Sequence, residues 1–286
     1  MAIIIGYVIV LASVFGGFVL AGGHVAALFQ PLELLMILGG AFGAFVVGND
    51  IKIIKATMKV MPTLLKGSKH TRQLYIELLL LLYRVLSKIR TDGLMSIETD
   101  VDNPADSQLF ANYPLVMADH HAVEFLTDYL RLMVSGNTDP FQLENLMDNE
   151  IDTHHAEGEF PVHCIAKIGD GLPAFGIVAA VMGVVHTMES VGLPPAELGM
   201  LIAHALVGTF LGILLAYGFV TPLSGLVEYK LHESAKPMHC IKVTLIASLN
   251  GYPPALAIEF GRKVLFSTER PSFMEVDEEI RRSKKG

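Results

Sequence analysis

Charge is scarce in this chain of 286 residues. Only 17% are Asp, Glu, Lys or Arg, against 52% hydrophobic residues, and the mean hydropathy of +0.49 excludes an ordinary soluble domain. Cysteine is nearly absent. Cys164 and Cys240 lie too far apart for a CxxC metal or redox pair, form no disulfide framework, and read as reduced cytosolic thiols. A basic surface is missing as well: the net charge of −8 and a long acidic central stretch exclude nucleic acid as a partner. There is no P-loop, no GxGxxG after a strand and no GxSxG, so nucleotide hydrolysis and serine chemistry have no seat.

What is present is arranged around four windows empty of charge. A helix crossing a bilayer core of about 30 Å needs about 20 mostly apolar residues. Ile3 to Leu20 forms a first span, closed by Gly22 and Gly23; Leu34 to Asn49 forms a short second one, flanked by Glu33 and Asp50. Gly171 to Met188 and Leu198 to Val227 supply the third and fourth. The first run competes with a secretory signal peptide, but it lacks a basic n-region, is longer than the usual apolar core, and three spans follow it.

Orientation follows from Lys and Arg, which are retained on the cytoplasmic side. Eleven of the 21 lie between Lys52 and Lys167 and ten between Lys230 and Lys285, while the loops at 21–33 and 189–200 have none. Those loops are therefore external and both termini cytoplasmic. The expected organisation is spans one and two over residues 1–51, a helical cytoplasmic domain over 52–170, spans three and four over 171–227, and a cytoplasmic tail over 228–286.

The cytoplasmic block is polarised. Lys52 to Arg90 holds nine bases and one acid, Glu77, whereas Glu98 to Glu159 holds fourteen acids and one base, Arg131. The basic arm fits the positive-inside rule and contact with anionic lipid, and the acidic part fits solvated helix surface. The change of sign around Arg90, Asp92, Gly93 and Glu98 also suits an electrostatic docking edge for a protein partner. Tyr75 to Ile89 and Ala122 to Val134 read as helices. Breaks are expected at Gly93, Asn103-Pro104, Tyr113-Pro114, Gly136-Asn137 and Asp139-Pro140. Histidines gather at His120 and His121, and at His154 and His155 near His163 and Cys164. Adjacent histidines on a helix point apart and no i, i+4 ligand pair emerges, so no metal site is expected.

Small residues recur along spans three and four: Gly176, Ala180, Gly183 and Thr187, then Ala205, Thr209, Gly212 and Ala216, both at +4, +3, +4. Such stripes let helices approach closely in lipid, against each other or against another subunit. Proton and cation relays need buried Asp, Glu, His or Arg. The charged types all fall outside the spans in this reading, with Asp170 capping span three, so a partner would have to supply a carboxylate. Thr209 either bonds back to its own helix or lines a pore. Pro173 suits a helix start and Pro222 a stop or kink.

The segments GDGLPAFGIVAAVMGVVH (169–186) and AHALVGTFLGILLAYGF (203–219), with DYLRL (128–132), LNGY (249–252), EFGRK (259–263) and STERPSF (267–273), resemble the MotA family of flagellar stator subunits. The resemblance implies an all-α membrane protein of the bacterial inner membrane, forming a homo-oligomeric ring around a dimer of MotB. MotB carries the ion-binding aspartate, and the pair converts ion flow into torque. It implies further that Pro173 and Pro222 couple ion flow to shape change, and that Arg90 and Glu98 contact opposite charges on the rotor's switch-complex protein. Thr209 matches the family's pathway threonine. Ala180 stands where sodium-driven relatives tend to have threonine, which favours protons and no other cofactor.

Three readings compete. A TolQ/ExbB-like energiser of outer-membrane processes typically has three spans and lacks the ERPSF tail. A non-conducting membrane scaffold is compatible with spans empty of carboxylate. A membrane enzyme using His186 and His204 lacks an acid, nucleophile or metal beside either histidine.

Overall fold

The computed structural model describes residues 2–136, 139–189 and 192–283, and every regular element in them is a helix. Asn137 of the expected Gly136-Asn137 break, Ser190 and Val191 of the second expected external loop, and Lys284 and Lys285 lie outside the described residues. Four helical stretches are long and apolar enough to cross a membrane. The chain divides into two compact units, Met1–Gly67 with Gly158–Tyr229, and Ser68–Glu157 with Lys230–Gly286.

The first unit is built from the apolar windows. α1 (Ala2–Leu20) buries no residue, and Ile4, Ile5, Val8 and Ile9 all stand open, as suits a helix wetted by lipid. It is tied down at two points. Tyr7 donates its hydroxyl to the Phe219 carbonyl at 3.0 Å, and Phe15 meets Phe210 edge-on at 6.2 Å. A short 3-10 turn, Val25–Leu28, leads to α2 (Pro31–Val47), which starts on a proline whose missing N–H costs nothing at that position. α2 buries Ile37, Ala41 and Phe45. Gly48 and Asn49 end it, and α3 (Ile51–Leu64) starts where Asp50 accepts a hydrogen bond from the Lys52 N–H at 2.8 Å.

The second unit is a helical bundle around α4 (Arg72–Asp92), whose Leu78, Leu79, Leu81, Leu82 and Val85 are wholly buried. α4 ends at Gly93, where φ is +87°, a region costly for any residue with a Cβ. A 3-10 turn (Leu94–Ile97) and three short helices, α5 (Glu98–Asp102), α6 (Gln108–Ala111) and α7 (Pro114–Met117), lead to α8 (His120–Val134). The breaks expected at Asn103-Pro104, Tyr113-Pro114 and Asp139-Pro140 all fall between helices, because proline cannot continue the preceding helix.

α8 is capped by Asp119, which accepts from the Ala122 N–H at 3.3 Å and lies 3.3 Å from His70 Nε2. Burial alone would raise the pKa of this carboxyl, but the His70 and Ala122 hydrogen bonds outweigh it and hold the value below 3.8. The depressed folded value means stabilisation that is complete above 3.8 and is lost as pH falls through the folded pKa. Asp119→Ala should cost about 1 kcal/mol at neutral pH. Hydrogen exchange at the first turn of α8 should therefore speed up about fivefold, and the difference should vanish in strong acid.

α9 (Pro140–Met188) is one helix of 49 residues and contributes to both units. Neither Asp170 nor Pro173 begins a helix; both lie within it, as does Pro161. Their reading as a cap and a helix start is corrected. A proline inside a helix removes a donor and crowds the carbonyl one turn back, and is tolerated where neighbouring helices hold the segment. α10 (Pro195–Ile213) passes into a π-helical segment, Leu214–Val220, and then into α11 (Thr221–Ser234), so Pro222 is the second residue of a continuing helix.

α12 (Lys236–Leu249) and α13 (Pro254–Lys263) complete the second unit with α14 (Phe273–Ser283). The LNGY and EFGRK motifs are structural here. Gly251 makes the turn at φ +87°. Arg262, 7% exposed, grips Glu259 through Nε and Nη2 at 2.8 Å each and donates to the Pro271 carbonyl at 3.0 Å. α14 is anchored by Val276, Ile280 and the Arg72–Glu275 pair. Both cysteines are free and buried, and burial pushes the Cys240 thiol up to about 12.

Candidate functional site

In the first unit α9 and α10 meet almost backbone to backbone. A side-chain carbon at Gly176 would lie 2.8 Å from the Gly208 carbonyl oxygen, and one at Gly183 would lie 2.8 Å from Ala205 Cβ. One at Gly212 would lie 2.7 Å from the Leu172 carbonyl oxygen and 3.3 Å from Pro173 Cα. Of the small-residue faces expected of spans three and four, Gly176, Gly183, Ala205 and Gly212 do pack together, and Ala179 and Gly208 join them in place of Ala180 and Thr209. Their neighbours Ala180 and Thr209 are half-buried at the border of that seam. A hydroxyl-to-carbonyl back-bond is made by Thr187, to Gly183 at 2.9 Å.

Pro173 and the residue before Pro222 lie against the opposite helix. Pro173 Cα packs on Gly212, and Thr221, the residue before Pro222, brings its Cα to 3.5 Å from the Cβ position of Gly169. Pro222 itself is exposed. A change in helix register at Pro173 would be felt directly by the facing backbone of Gly212, because there is no side chain between them to yield.

The sequence reading missed one member of this site. Glu33 does not flank its span but sits in the first turn of α2, 8% exposed. Its Oε2 is buried without a hydrogen-bond partner, 3.1 Å from where a Cβ of Gly208 would be. The sequence offers one cue, an acid in the first turn of a proline-started apolar helix.

In the second unit Arg90 lies in the last turn of α4 and Glu98 begins α5, on either side of the Gly93 turn. Each charge complements its own helix dipole. Both side chains are exposed and neither enters an ion pair among the described residues. Their neighbours do: Lys88 meets Asp100 at 2.7 Å, Arg131 meets Asp128 at 2.6 Å and Lys242 meets Asp148 at 2.7 Å.

The histidines form pairs rather than a centre. The His121 and His154 rings are 5.6 Å apart, and His155 Nε2 is 3.4 Å from His232 Nδ1. Burial lowers the pKa of His154, and no group of three His, Cys, Asp or Glu able to hold a metal occurs among the described residues. Cys164 turns instead to Asn49 Oδ1, 3.1 Å away. His186 is exposed beside Glu189 at 3.5 Å.

Two family models match, Motility protein A N-terminal over residues 4–93 and the MotA/TolQ/ExbB proton channel family over residues 118–239. Motility protein A of Salmonella typhimurium is 55% identical over 98% of this chain and 95% of its own length. The chain belongs to the motility protein A family. Motility protein A of Escherichia coli is 54% identical over the same shares, and chemotaxis protein LafT of Vibrio parahaemolyticus is 35% identical over 96% of each chain. The fold is shared with a C. jejuni MotAB structure (TM-score 0.78, 20% identity, 95% of this chain and 98% of that one). It is also shared with the flagellar MotAB stator complex of Bacillus subtilis (TM-score 0.74, 24% identity, 96% and 98%). Arg90 and Glu33 fall in the first motility protein A segment, Pro173, Ala180, Thr209 and Pro222 in the second, and Glu98 between the two.

Proposed function

We propose that this chain is a stator subunit of the bacterial flagellar motor, conducting protons together with a MotB dimer and turning their flow into torque for swimming and chemotaxis. The observation that carries the reading is the 55% identity to a motility protein A across the whole membrane and helical architecture. Several copies ring the partner in the inner membrane with both termini cytoplasmic, as the placement of Lys and Arg supports. The faces beside the α9–α10 seam, with Ala180 and Thr209, meet the partner's helices. The open face of α1, with Ile4, Ile5, Val8 and Ile9, faces lipid.

A proton falling through roughly 100 mV releases about 2.3 kcal/mol, so each proton drives one small step. Pro173 and Pro222 transmit that step, being points where the helices lack a backbone donor, with Pro173 against the bare backbone of Gly212 and Pro222 next to Thr221, which packs on Gly169. Arg90 and Glu98, exposed and in no ion pair among the described residues, engage opposite charges on the rotor's switch complex. The chain acts by conduction and shape change rather than by catalysis.

Swimming speed tests the coupling ion. In cells carrying this chain and its partner as the sole stator, speed should be unchanged when sodium is replaced by potassium and should fall to zero with a protonophore. Speed that follows sodium would overturn the assignment of protons, and normal swimming without this chain would overturn the stator reading.

A further inference from the structure

The reading above leaves Glu33 unused. It is nine-tenths buried, and its Oε2 has neither a donor nor solvent. The recess around that oxygen is made by backbone and small groups. The Cβ position of Gly208 lies 3.1 Å from Oε2, 3.2 Å from Ala179 Cβ and 3.2 Å from the Gly176 carbonyl oxygen. Gly208 and Ala179 stand near the middle of the two charge-free windows of α10 and α9. The oxygen therefore lies deep in the bilayer, although its own Cα is only one turn into α2.

Other titratable groups on these elements are few. α10 carries His204 one turn from Gly208 and Glu197 in its first turn; α9 carries His186, paired with Glu189, at one end of its charge-free window and Asp170 at the other. His24 precedes the 3-10 turn. None of them hydrogen-bonds Glu33 among the described residues. An ionised carboxylate with no counter-charge and no donor is the costliest occupant of such a place, and a neutral acid is tolerated. A mid-membrane carboxyl beside a conduction path marks a function rather than a fold requirement, since glutamine or leucine would fill the same volume.

We propose that Glu33 is a proton-binding site contributed by this chain, a mid-membrane carboxyl that takes a proton from water and returns it on the side of Ala180 and Thr209. The step makes and breaks only one O–H bond: the carboxylate accepts H⁺ from a hydronium, leaving water, and the carboxylic acid later gives it to water or to a carboxylate of the partner. The proposal rests on the stator reading for its place on a proton path, but not for the protonation of Glu33 itself.

The test uses the complex of this chain and its partner in lipid, with ¹³C-labelled glutamate. Infrared spectra at neutral pH should contain the C=O stretch of a protonated carboxylic acid, shifted by the label and absent from Glu33→Gln. Proton uptake by vesicles holding the complex should drop about a hundredfold in Glu33→Gln, the low end of what a positioned proton-transfer group contributes, and recover in part in Glu33→Asp. A spectrum without a labelled acid band, or one unchanged by Glu33→Gln, overturns the proposal. So does a Glu33→Gln complex that conducts like the parent. If the substituted complex fails to assemble, the labelled band in the parent, followed from neutral to alkaline pH, decides alone: a band that persists at neutral pH supports the site, and its absence overturns it. A parent complex that shows the band but takes up no protons supports proton binding at Glu33 and overturns the stator reading instead.

Discussion

Gly212→Val is expected to abolish motility and to reduce the amount of chain in the membrane, whereas Gly225→Ala should change neither. The difference lies in what a side chain would meet. At Gly212 the first added carbon would lie 2.7 Å from the Leu172 carbonyl oxygen and 3.0 Å from Gly176 Cα, both backbone atoms that have no rotamer to retreat into. Gly225 has nothing within 4 Å. Overpacking a tight contact costs about 1–3 kcal/mol for one or two carbons. In lipid there is no hydrophobic force to restore the approach of the helices. Gly40→Ala should be intermediate, since the neighbour there is the ring of Phe175, a side chain able to turn. Membrane fractionation with a soft-agar swarm measures both effects. A Gly212→Val chain that swims normally would refute the seam as the functional face.

Exchanging the signs of Arg90 and Glu98 together, Arg90→Glu with Glu98→Lys, should stop swimming while leaving membrane assembly intact. Both residues are exposed and make no ion pair with the described residues, so the fold loses little; even a solvent-exposed pair is worth only about 0.2–1 kcal/mol. Like charges pressed together at an interface cost several kcal/mol, and the loss recurs at every copy in a ring. Lys88→Glu provides the contrast. It breaks the 2.7 Å contact with Asp100, which also accepts from Ser107 at 2.6 Å, and should lower the amount of folded chain. Wild-type swimming in the double charge exchange would remove these two residues from any rotor contact.

Much of this architecture was legible because apolar windows and turn residues act locally. Ile3 to Leu20 is long enough and apolar enough to read as a span rather than a signal peptide, and Gly93, Pro104, Pro114 and Pro140 stop helices by their own backbone chemistry. The small-residue stripes likewise announced a close helix pair. What was illegible depends on neighbours. Pro173 looks like a helix start until Pro140–Met188 is seen as one helix, in which surrounding helices hold a turn that water would have opened. Glu33 looks like a flanking residue, since sequence gives its distance from the end of α2 but not the depth to which its side chain reaches against α10. The exposed, unpaired state of Arg90 and Glu98 also required three dimensions, as their charged neighbours are alike in sequence and yet are paired.

The π-helical segment Leu214–Val220 has a mechanical meaning. A π turn is an α-helix holding one surplus residue, and one residue of α-helix is worth a rotation of about 100° and a rise of about 1.5 Å. The start of α11 is thus out of phase with α10 by that amount, and Pro222 stands two residues beyond the slack. Were the surplus residue to pass along the chain, the segment beyond would swivel by a fixed angle while the glycine contacts of α10 stayed in place. The helix is geared, with a tooth of one residue.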